Sequence, residues 1–168
     1  MKTPTLRLLI TGGTIDDVDY EDEGDSPLDK ASFLPSLLRQ SRSRLPYESE
    51  ILIQKDSRFI TDEDRNLVLE KCRSCPEDKI LISHGSYTMA KTAKALGAAK
   101  IKKTIVLFGS IVPINKSESD ALFNLGSAFL GVQLLSPGVY IVSNGRVFNW
   151  ENVRKNEHGK YFEEEYPD

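Results

Sequence analysis

Hydroxyl, glycine and lysine residues follow the apolar runs that predict strands in this 168-residue chain. A hydroxyl becomes a nucleophile once a base activates it, and a lysine of lowered pKa can act as that base. Glycines allow backbone N–H groups to approach a developing oxyanion closely. The combination suits acyl transfer on a small amide or ester. The segments are Thr11–Ile15, Asp56–Ser57, Ser83–Thr88, Phe108–Ser110 and, a dozen residues after the fifth strand, Arg154–Asn156.

The Thr-Gly-Gly-Thr sequence at residues 11–14, taken alone, is equally consistent with a catalytic site and with a plain tight turn, and a phosphate-binding loop is a further alternative. A dinucleotide fingerprint would require Gly-x-Gly-x-x-Gly, and this segment has only two adjacent glycines. Its meaning therefore depends on the residues that the fold brings beside it.

The two cysteines and two histidines do not have the spacing of a familiar zinc site. Cys72 and Cys75 close a predicted helix just before Pro76, whereas redox pairs usually open one. We therefore interpret both cysteines as structural. His84 lies at a predicted strand end, and we expect a mainly structural role for it as well.

Residues Asp16–Asp25 include seven acids in ten positions, directly after the first predicted strand. Such a segment is typical of a solvated loop. It is also consistent with a lid over the site, because lids are drawn from weakly packed loops. A metal-binding loop is the third alternative, although the acids lack a recognisable spacing for it.

Five short, nearly continuous apolar runs must position these residues. Runs of this kind are typical of strands buried on both faces of a sheet. They are Leu6–Thr11, Glu50–Gln54, Lys79–Ser83, Lys103–Gly109 and Gly138–Ser143, with a short return strand at Arg146–Trp150 after Asn144-Gly145. Helical patterns alternate with them, so the fold class is α/β: a single-domain, open, mostly parallel sheet flanked by helices.

The helical patterns predict which side chains face inward. One helix follows Thr61 as its N-cap. Another covers about residues 118–133, with Ser117 as its cap. The predicted inward sets are Leu34, Leu37 and Leu38; Leu67, Val68, Cys72 and Cys75; Met89, Ala93 and Leu96; and Leu122, Leu125, Phe129 and Val132. We predict a domain over residues 1–156 and an irregular polar tail over 157–168.

Composition narrows the classes of protein. Apolar residues make up 39% and charged residues 28%, which is ordinary for a globular protein. A net charge of −3 and a pI of about 5.5 argue against nucleic acid or an anionic membrane as the main partner. The apolar N-terminal run, broken by Arg7, is too short for a secretory signal or a membrane helix. A cytoplasmic location is expected by default.

Four motifs, in order within residues 6–156, resemble those of the bacterial-type L-asparaginases. Thr11–Ile15 looks like the family's nucleophile motif, and His84–Met89 resembles its His-Gly-Thr-Asp-Thr-Met signature. Phe108–Pro113 is similar to its Thr-Gly-Ala-Met-Arg-Pro segment, and Ser119–Asn124 continues the match. The resemblance implies the Rossmann- or flavodoxin-like N-terminal domain of that family. It also points to the short-chain members, which consist of this domain alone.

The resemblance implies a role for individual residues. Thr14 would attack the side-chain amide carbon of asparagine and form an acyl-enzyme, which water then hydrolyses to the acid. Ser86 stands at the family's second catalytic threonine, Lys155 at its catalytic lysine, and Tyr20 at the lid tyrosine. Substrate-binding positions are Gly13, Asp56, Ser57, Gly85, Tyr87 and Ser110, with Asp56 and Ser57 matching the loop that binds the α-carboxylate. The resemblance also implies a homodimer or homotetramer, and neither a metal nor a cofactor.

Tyr87 stands where the family has an aspartate that receives the substrate's α-ammonium and pairs with the catalytic lysine. A tyrosine is uncharged at neutral pH, and loss of one partner of a buried charge pair costs about 3–5 kcal/mol. Three interpretations follow: hydrolysis of asparagine with Tyr87 tolerated, hydrolysis of an amide without an α-ammonium, and a catalytically impaired domain that binds a small acid or a protein partner. A transfer-RNA amidotransferase that shares this domain adds delivery of ammonia to another protein as a further alternative.

Overall fold

A computed structural model describes residues 6–17, 31–156 and 158–166 of the chain. Within them, six strands form one sheet in the order β2-β1-β3-β4-β5-β6. All neighbours are parallel except β5 and β6, which form an antiparallel hairpin. The predicted open, mostly parallel sheet is confirmed. Its strands are β1 (Leu6–Gly12), β2 (Tyr47–Lys55), β3 (Lys79–Ser83), β4 (Thr104–Phe108), β5 (Gly138–Ser143) and β6 (Arg146–Asn149).

Four helices cover the two faces of this sheet in the described residues. They are α1 (Leu34–Gln40), α2 (Asp62–Ser74), α3 (Met89–Ala98) and α4 (Ala121–Leu134). Side chains of α2 and α3, such as Val68 and Met89, pack on one face with Ile82 of β3. Side chains of α1 and α4, such as Leu34 and Phe129, pack on the other face. Because both faces are covered, the central strands are continuous apolar runs in the sequence.

The cap of α2 was predicted correctly, whereas that of α4 was not. Thr61 Oγ1 accepts a hydrogen bond from the backbone N–H of Asp64, and the Asp64 carboxylate accepts one from the Thr61 N–H, which completes a capping box. The N-cap of α4 is Asp120 rather than Ser117. Asp120 makes no side-chain capping bond, because its carboxylate instead holds the preceding loop by accepting hydrogen bonds from the N–H groups of Ile111 and Val112.

Two leucines that were predicted to face inward are exposed. Leu67 of α2 is 49% exposed, because Arg65 and Val68 occupy the inward positions of that turn. Leu122 of α4 is 55% exposed and lies at the rim of an apolar groove between α1 and α4. The remaining predicted inward residues of α4, Leu125, Phe129 and Val132, are buried.

The segment after residue 156 was predicted to be irregular, and this is wrong in part. A second, two-stranded sheet pairs β7 (Arg154–Asn156) with β8 (Tyr161–Glu163), and Lys155 lies opposite Phe162 in its register. Phe162 is buried in the core beneath the main sheet, where its ring lies 6.4 Å from that of Phe148. One apolar side chain in a polar segment thus anchors the hairpin that holds Lys155. The domain boundary at 156 stays a prediction.

The cysteines are free thiols in the core, as the structural interpretation of them requires. Burial raises the pKa of the Cys72 thiol to about 12, so that it stays protonated and unreactive at neutral pH. The described residues include no helix that is both long enough and apolar enough to cross a bilayer.

Candidate active site

Loops from three adjacent strands meet at one edge of the sheet. In the strand order, β1 lies between β2 and β3. The connection after β1 leads to β2 on one side of it, and the connection after β2 leads back to β3 on the other side. Open α/β sheets bind ligands at such a switch point, beyond the carboxyl ends of the strands. The loops that follow β1, β2 and β3 here carry Thr14, Ser57 and Ser86.

Two glycines allow these loops to touch backbone to backbone. A Cβ on Gly13 would lie 2.5 Å from the Gly85 nitrogen, and Gly13 has a φ of +82° that L side chains rarely adopt. A Cβ on Gly85 would lie 2.6 Å from Ser57 Oγ. Only glycine fits at both positions, which is why the three loops form a single site.

Thr14 opens a short 3-10 turn, Thr14–Asp16, and its side chain is half-buried. The turn is fixed by Asp16, whose buried carboxylate accepts hydrogen bonds of 3.0 Å from Ser32 Oγ and from the Phe33 N–H. The next residue, Asp17, accepts a 2.8 Å hydrogen bond from Asn115 Nδ2. Thr14 is therefore carried by a turn that is fixed to α1 and to the loop after β4.

Lys155 reaches the loop after β3 from the hairpin of β7 and β8. Its Nζ donates a 3.0 Å hydrogen bond to Ser86 Oγ. The same Nζ lies 5.3 Å from the centre of the Tyr87 ring, within the range of a cation–π contact. The lysine and the hydroxyl that were predicted to act together thus lie within hydrogen-bond distance, although they are 69 positions apart in the chain.

The loop after β2 presents Ser57 beside an ion pair. The Asp56 carboxylate accepts a 2.8 Å hydrogen bond from the Arg58 N–H and pairs with the Arg58 guanidinium at 3.1 Å. Thr88 Oγ1 donates a 2.6 Å hydrogen bond to the Ser57 carbonyl, which ties this loop to the start of α3. Asp56 is thus engaged by its own loop, and Ser57 is fixed against the loop after β3.

These loops enclose a cleft of about 300 Å³, at the lower end of the range for small-molecule sites. Eight of the ten predicted site residues line it. The full set is Gly13, Thr14, Asp56, Ser57, Arg58, Gly85, Ser86, Tyr87, Ile111, Lys155 and Lys160. The roles assigned to these residues stay predictions.

Two predicted site residues are not placed in the cleft. Tyr20, with most of the acidic segment, lies outside the described residues. Ser110 does not line the cleft; its buried hydroxyl instead donates a 2.8 Å hydrogen bond to the Val112 carbonyl, so that it shapes the loop after β4. Asp120 and Asn124 also hold this loop, since Asn124 Nδ2 donates to the Gly109 carbonyl at 2.9 Å. Two residues of the Ser119–Asn124 motif, Asp120 and Asn124, therefore fix the conformation of the loop after β4.

Sequence reasoning missed Arg58, Ile111 and Lys160, which also line the cleft. Lys160 belongs to the turn of the β7–β8 hairpin, within the segment predicted to be irregular. Tyr161, Phe162 and Glu163 do alternate between more exposed and buried positions, but three residues are too few for that pattern to identify the hairpin from the sequence. Among the described lining residues, three cations therefore face one carboxylate, that of Asp56, which Arg58 already engages.

His84 supports the loop after β3 from within the core, as its place at a strand end predicted. It is 1% exposed; its Nδ1 lies 2.8 Å from the Gly85 carbonyl and its Nε2 lies 2.9 Å from Thr92 Oγ1. Since a carbonyl only accepts, Nδ1 carries the proton and Nε2 accepts from the threonine. Burial lowers the pKa of His84 to about 4, so the ring is neutral at physiological pH.

The free energy of unfolding should therefore fall on mild acidification. The pKa of His84 in the folded chain, about 4, lies below the ordinary value of 6.5, so the unfolded chain binds the proton first. The contribution of His84 is complete above pH 6.5 and is lost as pH falls toward 4, by about 2 kcal/mol between pH 6.5 and 4.5. Urea midpoints at these pH values measure the effect. His84→Gln, which does not titrate, should show a flatter profile; equal slopes would contradict this assignment.

The chain is similar to known proteins over most of its length. A family model described as "Asparaginase, N-terminal" matches residues 5–162. The chain is 30% identical over 156 residues to an L-asparaginase of Thermococcus kodakarensis, covering 89% of this chain and 47% of that protein. It is 31% identical over 132 residues to a glutamyl-tRNA(Gln) amidotransferase component of Aeropyrum pernix, covering 74% of this chain and 31% of that protein.

The fold agrees with these matches. The solved structure of the thermostable L-asparaginase from Thermococcus kodakarensis superposes with a TM-score of 0.81 at 27% identity, over 97% of this chain and 52% of that one. The chain thus spans about half the length of the L-asparaginase that it matches. The family match covers the three loops of the cleft and the β7–β8 hairpin that carries Lys155 up to residue 162. The chain belongs to the asparaginase family, and it corresponds to the N-terminal domain of that family.

Proposed function

We propose that the chain hydrolyses asparagine or a related small amide to the acid and ammonia, through an acyl-enzyme on Thr14. The observation that carries this proposal is the 3.0 Å hydrogen bond from Lys155 Nζ to Ser86 Oγ in the cleft that Thr14 also lines. A hydroxyl paired with a lysine is a recognised activating arrangement for acyl transfer. The hydroxyl and cationic side chains that also line the cleft, such as Ser57, Arg58 and Lys160, suit the binding of a small, polar substrate.

In the proposed reaction, Thr14 Oγ forms a bond to the amide carbon and passes its proton to the Ser86–Lys155 pair, while the carbonyl oxygen takes up negative charge. Backbone N–H groups near Gly13 and Gly85 are our candidate donors to that oxyanion. The C–N bond then breaks, and the nitrogen leaves as ammonia after gaining a proton. Lys155 sets the proton affinity of Ser86, which relays that proton. Water attacks the ester in the second half, releasing the acid and restoring Thr14.

Tyr87 favours a substrate that lacks an α-ammonium. Its ring faces Lys155 Nζ at 5.3 Å, where the family resemblance implies a carboxylate. An ammonium at this point would lie near Lys155 and Lys160, and like charges in a cleft repel. The carboxylate of Asp56 is engaged by Arg58. These contacts support an ω-amide of a simple acid over asparagine itself.

Ammonia release from a panel of amides tests the proposal. The panel contains asparagine, glutamine and succinamic acid, which has the skeleton of asparagine without its ammonium. We expect turnover of at least one of them and a higher kcat/KM for succinamic acid than for asparagine.

The proposal is falsified if folded protein with Thr14 intact releases ammonia from none of these amides. The alternative function, a domain that binds a small acid without hydrolysis, would then apply. Thermal shifts with succinate and aspartate test that alternative, because a bound ligand stabilises the folded state. No shift with either acid would remove the small-acid alternative too.

A further inference from the structure

The cations that line the cleft differ in how the protein engages them. Arg58 pairs with Asp56 at 3.1 Å, and Lys155 donates a 3.0 Å hydrogen bond to Ser86. The Lys160 ammonium, in contrast, has neither a hydrogen bond nor an ion pair within residues 6–17, 31–156 and 158–166. Lys160 thus brings to the cleft a positive charge with which no described carboxylate pairs.

The turn of the β7–β8 hairpin determines where Lys160 lies. Asn156 Oδ1 accepts a 2.8 Å hydrogen bond from the Gly159 N–H, and Asn156 Nδ2 donates one of 3.3 Å to Tyr161 Oη, so that one side chain spans the turn. Lys160 itself has a φ of +56°, a left-handed conformation that is unfavourable for lysine and that glycine adopts readily. The backbone alone would therefore favour glycine at this position, and what lysine adds is a charged side chain that lines the cleft.

Lys160 extends from the same hairpin as Lys155, whose Nζ lies 5.3 Å from the centre of the Tyr87 ring. The family resemblance implies a carboxylate at Tyr87 that receives the substrate's ammonium. Here an uncharged ring takes that place, and two lysines of one hairpin line the same cleft. The Coulomb interaction with these lysines favours an anion over a cation. The cleft thus suits a substrate in which the α-ammonium is replaced by a negatively charged group.

We propose that the cleft selects ω-amides whose acid part carries two anionic groups, and that Lys160 binds the second of these groups. The inference rests on the proposed hydrolysis at Thr14 and names a substrate class for it. One carboxylate would lie at Ser57, as the family resemblance implies. The second anionic group would take the place of the α-ammonium, beside Tyr87 and toward Lys160. Water would convert such an amide into ammonia and an acid with one further carboxylate.

Three amides that differ only at the α-carbon test this selectivity. Asparagine carries an ammonium there, succinamic acid a hydrogen, and (carbamoylmethyl)malonic acid a carboxylate. We expect kcat/KM to rise in that order. The gain from succinamic acid to (carbamoylmethyl)malonic acid should be about fivefold at low ionic strength, which is the order of the contribution of one ion pair with an exposed lysine. Added salt should reduce the gain, because it screens such a pair.

Lys160→Gly tests which residue produces the gain. Glycine suits the left-handed conformation at this position, so the variant should fold with a urea midpoint at least equal to that of wild type. The ratio of kcat/KM between (carbamoylmethyl)malonic acid and succinamic acid should fall from about five to about two or less. Lys100→Gly is the matched control, because Lys100 is also an exposed lysine, with a φ of +52°, but does not line the cleft. It should keep the wild-type ratio.

Calorimetric titration separates this inference from the proposed hydrolysis. Succinate and ethane-1,1,2-tricarboxylate are the acids that the last two amides would release, and their binding requires no turnover. If none of the amides were hydrolysed, tighter binding of the tricarboxylate than of succinate by wild type, but not by Lys160→Gly, would still support an anion site at Lys160. The inference is overturned if the additional carboxylate improves neither turnover nor binding, or if folded Lys160→Gly keeps the wild-type preference.

Discussion

Thr14→Ala should lower kcat/KM for the best amide substrate at least a thousandfold, a loss of about 4 kcal/mol of transition-state stabilisation. The variant keeps the cleft, with Lys155 still bonded to Ser86, but removes the only atom through which the proposed acyl-enzyme forms. Ammonia release under substrate-saturated and substrate-limited conditions measures the loss. In quenched wild-type reactions, mass spectrometry should find the acyl adduct on the peptide that contains Thr14.

Two further variants define what this result means. Thr14→Ser retains a hydroxyl and should keep activity within about tenfold of wild type. Ser110→Ala removes a nearby hydroxyl that bonds to the Val112 carbonyl and does not line the cleft, so we expect a small effect. If Thr14→Ala retained wild-type turnover, or if Ser110→Ala lost as much as Thr14→Ala, the nucleophile would have to be reassigned.

Tyr87→Asp should raise kcat/KM for asparagine about tenfold. The new carboxylate would lie beside Lys155 and could receive the substrate's ammonium, the interaction that the family resemblance implies. Because Tyr87 is 57% exposed, solvent screens this interaction, and the gain is well below the roughly 3–5 kcal/mol of a fully buried charge pair. A gain of about 1.4 kcal/mol corresponds to one decade in rate or affinity.

The substrate dependence of this variant is more informative than its rate alone. Succinamic acid has no ammonium, so Tyr87→Asp should not improve its hydrolysis, and the asparagine-to-succinamic-acid ratio of kcat/KM should rise. Tyr166→Asp makes the same substitution at an exposed tyrosine that does not line the cleft, and it controls for the added negative charge. An unchanged ratio in Tyr87→Asp would show that Tyr87 does not control recognition of the ammonium.

The central strands could be predicted closely because their burial leaves little ambiguity in the sequence. Both ends of β3 and of β5 agree with the prediction, since covering both faces of a parallel sheet requires a continuous apolar run. The helices were harder. The spacing of Leu67 in α2 and of Leu122 in α4 predicts that both side chains face the core. In α2, however, Arg65 occupies an inward position, and Leu67 is exposed. In α4, Leu122 lines a groove beside α1 that no side chain of the described residues fills, so it stays exposed.

The hairpin of β7 and β8 shows a different limit. Its strands are three residues long, too short for alternation to stand out, and its pairing is stabilised by the burial of Phe162 in the main core, among residues far away in sequence. Lys160 therefore could not be assigned to the cleft from the sequence. The roles of Tyr20 and Ser110 stay predictions, the first outside the described residues and the second away from the cleft lining.

The sequence by itself determined the chemical groups and their order: a threonine after two glycines, a serine and a tyrosine after a histidine and a glycine, and a lysine near the end. It also determined that the threonine and the serine–tyrosine pair each follow a buried strand, because the burial of a strand on both faces requires a continuous apolar run. Only the tertiary structure decided that the groups share a cleft. That depends on β1 pairing with both β2 and β3, and on Gly13 approaching Gly85 closely enough that any side chain there would clash. Residues so far apart in the chain come into contact only when the whole sheet has formed, and no local sequence pattern encodes such contacts.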